Sequence, residues 1–449
     1  MDAATLRSTL LLDLGLVGAL LLLGVLLRAK IRALQWLMLP APVIAGIIGF
    51  LLGPNVLGLW TWSLPFSEYV GSYTTMLIAV VFACMALAQD FGTSKLTGDL
   101  GRFTGYGILM SAGQVFVGMV LAFVLLRPLF DAPMSMGLIL FAAWSGGFGT
   151  SAAMGDVFAA NGQPEVTSVA FTAATVGMLT GVVGGVILAR IGAAKGHAKA
   201  FDIEEALPRS LRTGLLQPDE RKPSGVHTIS GSSIESLTFH IALVGAVVAI
   251  GHVIQTSTAE LLNAFALPLF ATGFLVGMVV RWGLRVTGGS RFVDQATMKS
   301  LSGAASDVLI VCAMVSIEPT FVRDHLGSLI LIFILGITFC VFLGLVVAPR
   351  YLGRHWFEKQ IFTWGWATGS VATGITLLRI VDPDLDSGAV EDFGYAYLPL
   401  IPIEGAAVAV APLLVIGGAS WSVAAIWGAL ALLGAWVLMR NHRKAVTTP

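Results

Sequence analysis

The sequence predicts an all-α polytopic membrane protein: two inverted five-helix repeats, each with a re-entrant hairpin, and one more helix at the C-terminus. Three observations predict it. Charge is scarce, apolar runs of bilayer length recur along the chain, and two glycine-rich interruptions fall at corresponding places in its halves.

Of 449 residues, 56% are hydrophobic and only 12% charged, about half the charged share of a soluble domain. The remaining surface must face lipid. A span of about 30 Å needs about 20 helical residues, and helices satisfy their own backbone groups there. The net charge of zero offers no bulk field to a nucleic acid or an acidic partner. Cys84, Cys312 and Cys340 sit inside apolar runs and read as small buried hydrophobes rather than disulfide partners. The first run, Leu10 to Leu27, has no basic region before it and no small-residue cleavage site. It is expected to be a retained helix, not a signal peptide.

Eleven spans are expected, near 10–27, 36–58, 73–88, 104–126, 168–189, 237–256, 262–281, 305–317 (with an earlier start allowed), 327–348, 393–417 and 421–439. Two shorter interrupted segments fall near 137–158 and 360–379. With the N-terminus outside and each interrupted segment entering and leaving on one side, 23 of the 26 Lys and Arg residues fall in cytoplasmic loops and the tail; only Arg7, Arg127 and Arg323 lie outside. This is the expected positive-inside bias. A full crossing by either segment would invert every later helix and break the partition. The expected setting is therefore the cell inner (plasma) membrane, crossed many times, with the N-terminus outside and the C-terminus cytoplasmic. Trp36, Trp60, Trp62, Trp282, Trp356 and Trp421 fall near the proposed interfaces.

The halves correspond in order. Gly49-Phe50-Leu51-Leu52-Gly53 matches Gly273-Phe274-Leu275-Val276-Gly277, Cys84-Met85-Ala86 is similar to Ala313-Met314-Val315, and the stretch from Trp144 to Ala152 matches that from Trp364 to Ala372. Five spans lie between the copies when the interrupted segments do not cross, and an odd number inverts the second copy. That plan is common in secondary transporters, with the site where the repeats meet. The expected division is an N-terminal repeat over 1–192, a cytoplasmic linker over 193–235, a C-terminal repeat over 236–418, and a last helix with a basic tail over 419–449. The linker, with Pro208, Pro218, Pro223 and mixed charge, is expected to be mobile.

Both interrupted segments, Ser145–Met154 and Gly365–Gly374, join glycines to hydroxyl residues. Broken helices bare N–H groups at one half-helix start, which favour a carboxylate. They also bare C=O groups at a half-helix end, which with Ser and Thr hydroxyls suit Na⁺. The spacing Gly147-Phe148-Gly149 to Ala152 also fits a dinucleotide fingerprint, but no βαβ pattern surrounds it. Gly181, Gly184 and Gly185 read as a helix-packing face.

The chain resembles the sodium/glutamate symporter family over most of its length. The resemblance is carried by Pro40-Ala41-Pro42-Val43-Ile44-Ala45-Gly46, Gln114, Ser145-Gly146-Gly147-Phe148-Gly149-Thr150, Ala174-Thr175-Val176-Gly177, Gly181 to Gly185, and Pro402-Ile403-Glu404-Gly405. It implies Na⁺-driven glutamate uptake by a homodimer with elevator-like alternating access, and two hairpins dipping from opposite sides. The substrate-binding candidates are Ser145, Gly146, Gly147, Gly149, Thr150, Ser151, Thr175, Thr368, Gly369, Ser370 and Gln114. The Na⁺ candidates are Ser151, Thr373 and Glu404. No cofactor is expected beyond Na⁺ as coupling ion. Phe148 stands where the family usually has His, and Ser151 where it usually has Gly; Trp364 and Trp366 also depart from it. The expected substrate is glutamate or a related amino acid or small carboxylate, and these departures leave open which.

Isolated polar residues inside spans carry two readings each. Glu404 is a coupling-ion or substrate-amine site, or a carboxyl kept neutral in the bundle. Gln114 and Thr175 are ligands or interhelical hydrogen bonds. Asp156 and Asn161 are expected to cap the first hairpin, Asp307 to begin a span, and His240 and His252 to be packing residues without metal-ligand spacing. Asp382, Asp384 and Asp386 mimic a calcium loop, but their Gly and Glu are misplaced, which leaves a solvated turn. No Walker A, zinc-protease or nucleophile-elbow motif occurs. The expected function is thus transport rather than catalysis. A proton-coupled or exchange carrier of another organic anion, and a non-transporting receptor of the same fold, are the alternatives.

Overall fold

The computed structural model describes residues 3–37, 39–59, 62–88, 98–197, 209–221, 223–261, 268–383 and 385–447. Among these the chain is helical, with no strand. The elements that matter are α1 Ala3–Lys30, α2 Ala41–Leu52, α3 Tyr73–Ala88, α4 Asp99–Phe130, α5 Gly147–Ala159, α6 Glu165–Ala194, α7 Ser236–Leu261, α8 Leu269–Val286, α9 Gln295–Val315, α10 Leu326–Tyr351, α11 Trp356–Thr368, α12 Val371–Val381, α13 Ala389–Ala396, α14 Leu400–Ile416 and α15 Ser420–Thr447. Nine helices among the described residues are long and apolar enough to cross a membrane. The bent pair α13–α14 would make a tenth.

Three expected spans differ in form. The run at 36–58 is helical as a membrane segment only over the 12 residues of α2. Pro40 precedes its first turn, and Gly53, in extended conformation before Pro54, ends it. The span expected at 305–317 begins at Gln295, because Asp294 caps the helix by accepting from Thr297 N–H at 2.8 Å. Asp307 therefore lies within α9 rather than starting it. The span at 393–417 breaks by 59° between α13 and α14, where Pro399 has no N–H to continue the ladder.

The chain forms two compact units. The first comprises Met1–Leu26, Pro40–Thr93 and Leu216–Ile317, and the second Leu27–Leu39, Ser94–Leu215 and Glu318–Pro449. Each unit draws on both halves of the sequence.

In the first unit, Val17 and Leu20 of α1, Ala45 of α2, and Val311, Cys312 and Val315 of α9 share a core with Phe66 and Val70. A second cluster joins Cys84 and Leu87 of α3 to Val244 and Val247 of α7 and Val276 of α8. All three cysteines are buried and free, as expected. Asp13 of α1, which the sequence did not single out, is 1% exposed. It accepts from Ser67 N–H at 3.0 Å, the Ser67 hydroxyl and the Tyr73 hydroxyl at 2.8 Å. These bonds tie the loop before α3 to α1. Asp13→Ala is expected to cost about 1–3 kcal/mol for the orphaned donors. Hydrogen exchange would show faster amides at Ser67–Ser72, with the α7 amides unchanged.

His240 is fully buried and uses both ring nitrogens. Nδ1 donates to Ser236 O at 2.6 Å, and Nε2 accepts the Asp294 N–H at 2.9 Å. Asp294 in turn accepts Val226 N–H, Thr228 donates to Phe292 O, and Ser300 donates to Ser224 O. The end of the polar linker is thus pinned to the start of α9, contrary to the expectation of mobility along its length. Residues 198–208 and 222 lie outside the described residues. Burial pushes the Asp294 carboxyl up, but hydrogen bonds from the Thr297 hydroxyl and amide, and from the Val226 and Ala296 amides, outweigh it and hold it below the usual carboxylate range. Its contribution is complete above the unfolded value of about 3.9 and is lost as pH falls below it. Amide exchange at Thr297 is expected to quicken, relative to the intrinsic rate, as pH falls well below that value, and to be insensitive to that change in Asp294→Asn.

In the second unit α4 is central. α15 packs along it at backbone distance: a Cβ placed at Gly105 would lie 2.7 Å from Gly434 O and Leu438 N. Phe123 and Trp421 stack at 3.6 Å. The aspartate-rich turn is not simply solvated. Asp382 is buried and accepts from Asp386 N and Ser387 N, closing the turn between α12 and α13; Asp384 lies outside the described residues.

Candidate functional site

Both glycine-rich segments reverse the chain. In the first, the helical turns Met134–Leu138 and Phe141–Ser145 lead to Gly146, and α5 starts at Gly147. The Ser151 hydroxyl donates to Ala142 O at 3.3 Å. Nine residues of continuous helix would separate the two by about 13 Å, so the arms must run back to back. Gly147, at φ +68°, makes the bend. In the second, a Cβ at Gly365 would lie 2.6 Å from Gly374 N, again nine residues on. Gly369 leaves the helical conformation, Ser370 is extended, and Ser370 caps α12 by accepting from Thr373 N–H at 3.2 Å.

The two tips meet within the second unit. A Cβ on Gly147 would be 3.2 Å from Gly369 O. Gln114 of α4, completely buried, bridges the hairpins. Its Oε1 accepts Ser145 N–H at 3.3 Å and its Nε2 donates to Ala367 O at 2.8 Å. Ala367 O belongs to a broken helix end with no intrahelical partner, and Ser145 N–H ends the widened turn Phe141–Ser145. A carboxamide can accept from one and donate to the other at once.

α6 supplies the floor. Its small residues admit bulky hairpin side chains: Trp144 and Thr368 O crowd Gly177, the Thr368 hydroxyl crowds Gly181, and the Trp364 ring crowds Gly184. Trp364 Nε1 donates to Gly181 O at 3.0 Å. This is the packing face read from the sequence, and its partner is the second hairpin. Gly369 backs onto Met178.

The remaining candidates are arranged as follows. Ser145 Oγ is buried without a partner, and so is Trp144 Nε1 beside it. Thr150 is buried behind Gly146, and Gly149 lies in the first turn of α5. The Ser151 hydroxyl also reaches Ala170 O of α6 at 3.4 Å. Thr175 and Thr368 bond back to Phe171 O and Trp364 O within their own helices. Thr373 Oγ1 pairs with Ser370 Oγ at 3.0 Å. Phe148 and Trp366, at 4% and 3% exposure, are packed inward. Asn161 Nδ2 donates to Val157 O and closes the end of α5.

Glu404 stands apart from the tips. Its Oε2 accepts the Tyr397 hydroxyl at 2.6 Å. Tyr397 packs edge-on to Trp366 of the second hairpin at 5.9 Å. Sequence reasoning missed Tyr397; its position seven residues before a lone acid, across a proline break, was the available signal. It also missed the buried pair of Tyr106 and Gln360, in which the tyrosine hydroxyl donates to the amide oxygen. Among the described residues no group of three or more His, Cys, Asp or Glu could hold a metal ion.

The sodium/glutamate symporter family model matches residues 7–377, most of the chain and both hairpin tips. The chain belongs to the sodium/glutamate symporter family. It is a membrane transporter, not an enzyme. The family match ends inside α12, so α13, α14 with Glu404, and α15 lie beyond it. No curated protein sequence matches the chain.

Proposed function

We propose that this sodium/glutamate symporter family member couples Na⁺ to the uptake of glutamate or a related small carboxylate, bound where the two hairpin tips meet. The observation that carries this is the contact of Gly147 with Gly369 O beneath the Gln114 bridge. Beside it, Ser145 Oγ and Trp144 Nε1 are buried polar groups with no protein partner. The start of α5 directs the positive end of its dipole at the same place. Ser145, Gly146, Gly147, Gly149, Thr150, Ser151, Thr175, Thr368, Gly369 and Ser370 are the residues we assign to substrate, with Gln114 setting the spacing of the tips. Ser151, Thr373 and Glu404 are assigned to cations.

The gathering of both hairpins in one unit supports an elevator-like cycle, in which that unit carries the site. Inverted repeats over 1–192 and 236–418, a homodimer and an outward N-terminus complete the proposal. Phe148 and Trp366, both packed inward, narrow the room beside the tips and favour a small substrate. Purified protein in proteoliposomes tests the reading. Uptake of a labelled amino acid or dicarboxylate should require an inward Na⁺ gradient; uptake indifferent to both Na⁺ and H⁺ rejects it. A proton-coupled cycle is the second reading, favoured by the buried carboxyl of Glu404.

A further inference from the structure

The end of α1 and a turn of the polar linker meet at the membrane boundary. α1 is apolar from Leu10 to Leu27, apart from Asp13, and closes on Arg28-Ala29-Lys30. Those cations stand where hydrocarbon gives way to headgroups. The short helix Arg32–Trp36 follows at once and is tied back to α1, since Gln35 Nε2 donates to Ala29 O at 2.9 Å. The linker returns to the same place. Its helical turn Arg209–Thr213 packs against Arg32–Trp36, and a Cβ at Gly214 would lie 3.7 Å from Arg28 Cδ and Nε. Both segments belong to the second unit. The turn has a fixed form. Gly214 N–H donates to Ser210 O at 2.8 Å, and the Thr213 hydroxyl donates to Arg209 O at 2.8 Å and accepts Leu215 N–H at 3.2 Å.

The meeting gathers charge of one sign. Stretches 27–37 and 209–215 carry Arg28, Lys30, Arg32, Arg209 and Arg212 and no acidic residue. Arg28 has a partner of its own. The other four form no ion pair among the described residues, and Arg212 Nε is sealed from solvent without a hydrogen-bond partner. Cations held together repel one another unless an anion joins them. Two apolar side chains decide which anion. Ile31, between the exposed Lys30 and Arg32, is 41% exposed, and Leu215, next to the turn, is 50% exposed. A free phosphate gains nothing from either. A phospholipid offers its headgroup to the cations and its glycerol and first acyl carbons to the apolar pair.

We infer that Lys30, Ile31, Arg32, Arg209, Arg212 and Leu215 form a docking surface for the headgroup of an anionic phospholipid. Lipid bound there fastens the linker turn to the end of α1, two segments that the sequence places far apart. Its binding is independent of what the protein carries.

Hydrogen exchange on the purified full-length protein in a neutral detergent tests it. Short-chain phosphatidylglycerol, short-chain phosphatidylcholine and inorganic phosphate are titrated in separate arms. Phosphatidylglycerol is expected to slow the amides of Arg209–Leu215 about fivefold or more, and the other two to leave them unchanged. Salt raised to about 0.5 M should remove the slowing, because it screens exposed charge. Each cation near an anionic surface is worth about fivefold in affinity. Arg209→Gln combined with Arg212→Gln should therefore need about 20-fold more phosphatidylglycerol for half the protection. Arg350→Gln combined with Arg354→Gln removes the same charge from two other exposed positions of the second unit and should leave that concentration unchanged. Leu215→Ser keeps every charge and should raise it about fivefold. Equal protection by phosphate would make this a free-anion site, and equal protection by phosphatidylcholine a purely apolar contact; either overturns the lipid surface. So does an equal loss in the Arg350 and Arg354 variant, which would reduce the effect to bulk charge. Should the Arg209 and Arg212 variant lose its turn without lipid, the salt dependence and Leu215→Ser decide.

Discussion

Replacing Gly147 by Ala is expected to abolish substrate binding while leaving the protein folded. Gly147 is at φ +68°, a region that costs a residue with a Cβ about 1–2 kcal/mol. The added carbon would also lie 3.2 Å from Gly369 O, so the second tip must retreat. Strain alone lowers the population of the closed tips by roughly 5- to 30-fold, and the displaced tip adds to it. Isothermal titration against the best ligand should show the loss, with Tm falling by only a few degrees. Gly162, also at positive φ but with open space around it, is the control. Gly162→Ala carries the same backbone cost and should bind ligand as the native protein does. Equal loss in both variants would show that strain, not tip contact, is responsible, and would remove the tips from the site.

The second large effect is expected at Gln114. Gln114→Leu keeps much of the volume but strands Ala367 O inside the second unit. An unsatisfied buried group costs about 1–3 kcal/mol, and stability should fall by about that much. Gln114→Glu is the sharper test. It keeps the acceptor for Ser145 N–H and puts an oxygen against Ala367 O, where Nε2 now donates at 2.8 Å. The first hairpin should stay ordered and the second should loosen. Amide exchange at Thr368–Ser370 is expected to quicken in Gln114→Glu, with Gly146 unchanged. If both hairpins keep native protection in both variants, the bridge is not what joins them.

Much of this molecule was legible in its order of residues. The scarcity of charge required lipid, and the run lengths located α3, α4, α6, α7 and α10 to within about five residues; α1 begins seven residues earlier than expected. Glycine and hydroxyl residues clustered at Ser145–Met154 and Gly365–Gly374 announced two breaks, and both are breaks. Punctuation was harder to weigh. The cap at Asp294 lengthened α9 by ten residues, because one carboxylate bonding the Thr297 amide outweighs the polar Ser300–Ser306 stretch. The run ending at 58 looked long enough to cross but was cut by Gly53-Pro54.

Local pattern determined what breaks and what spans, because backbone satisfaction in lipid and the conformational limits of Gly and Pro are properties of a segment and its solvent. Only the tertiary structure decided which breaks meet. Gln114 lies 253 residues from its acceptor at Ala367, and Gly147 lies 222 residues from Gly369. No spacing along the chain encodes a contact that packing creates. The same holds for Tyr397 and Trp366, 31 residues apart in sequence, whose rings meet edge-on at 5.9 Å.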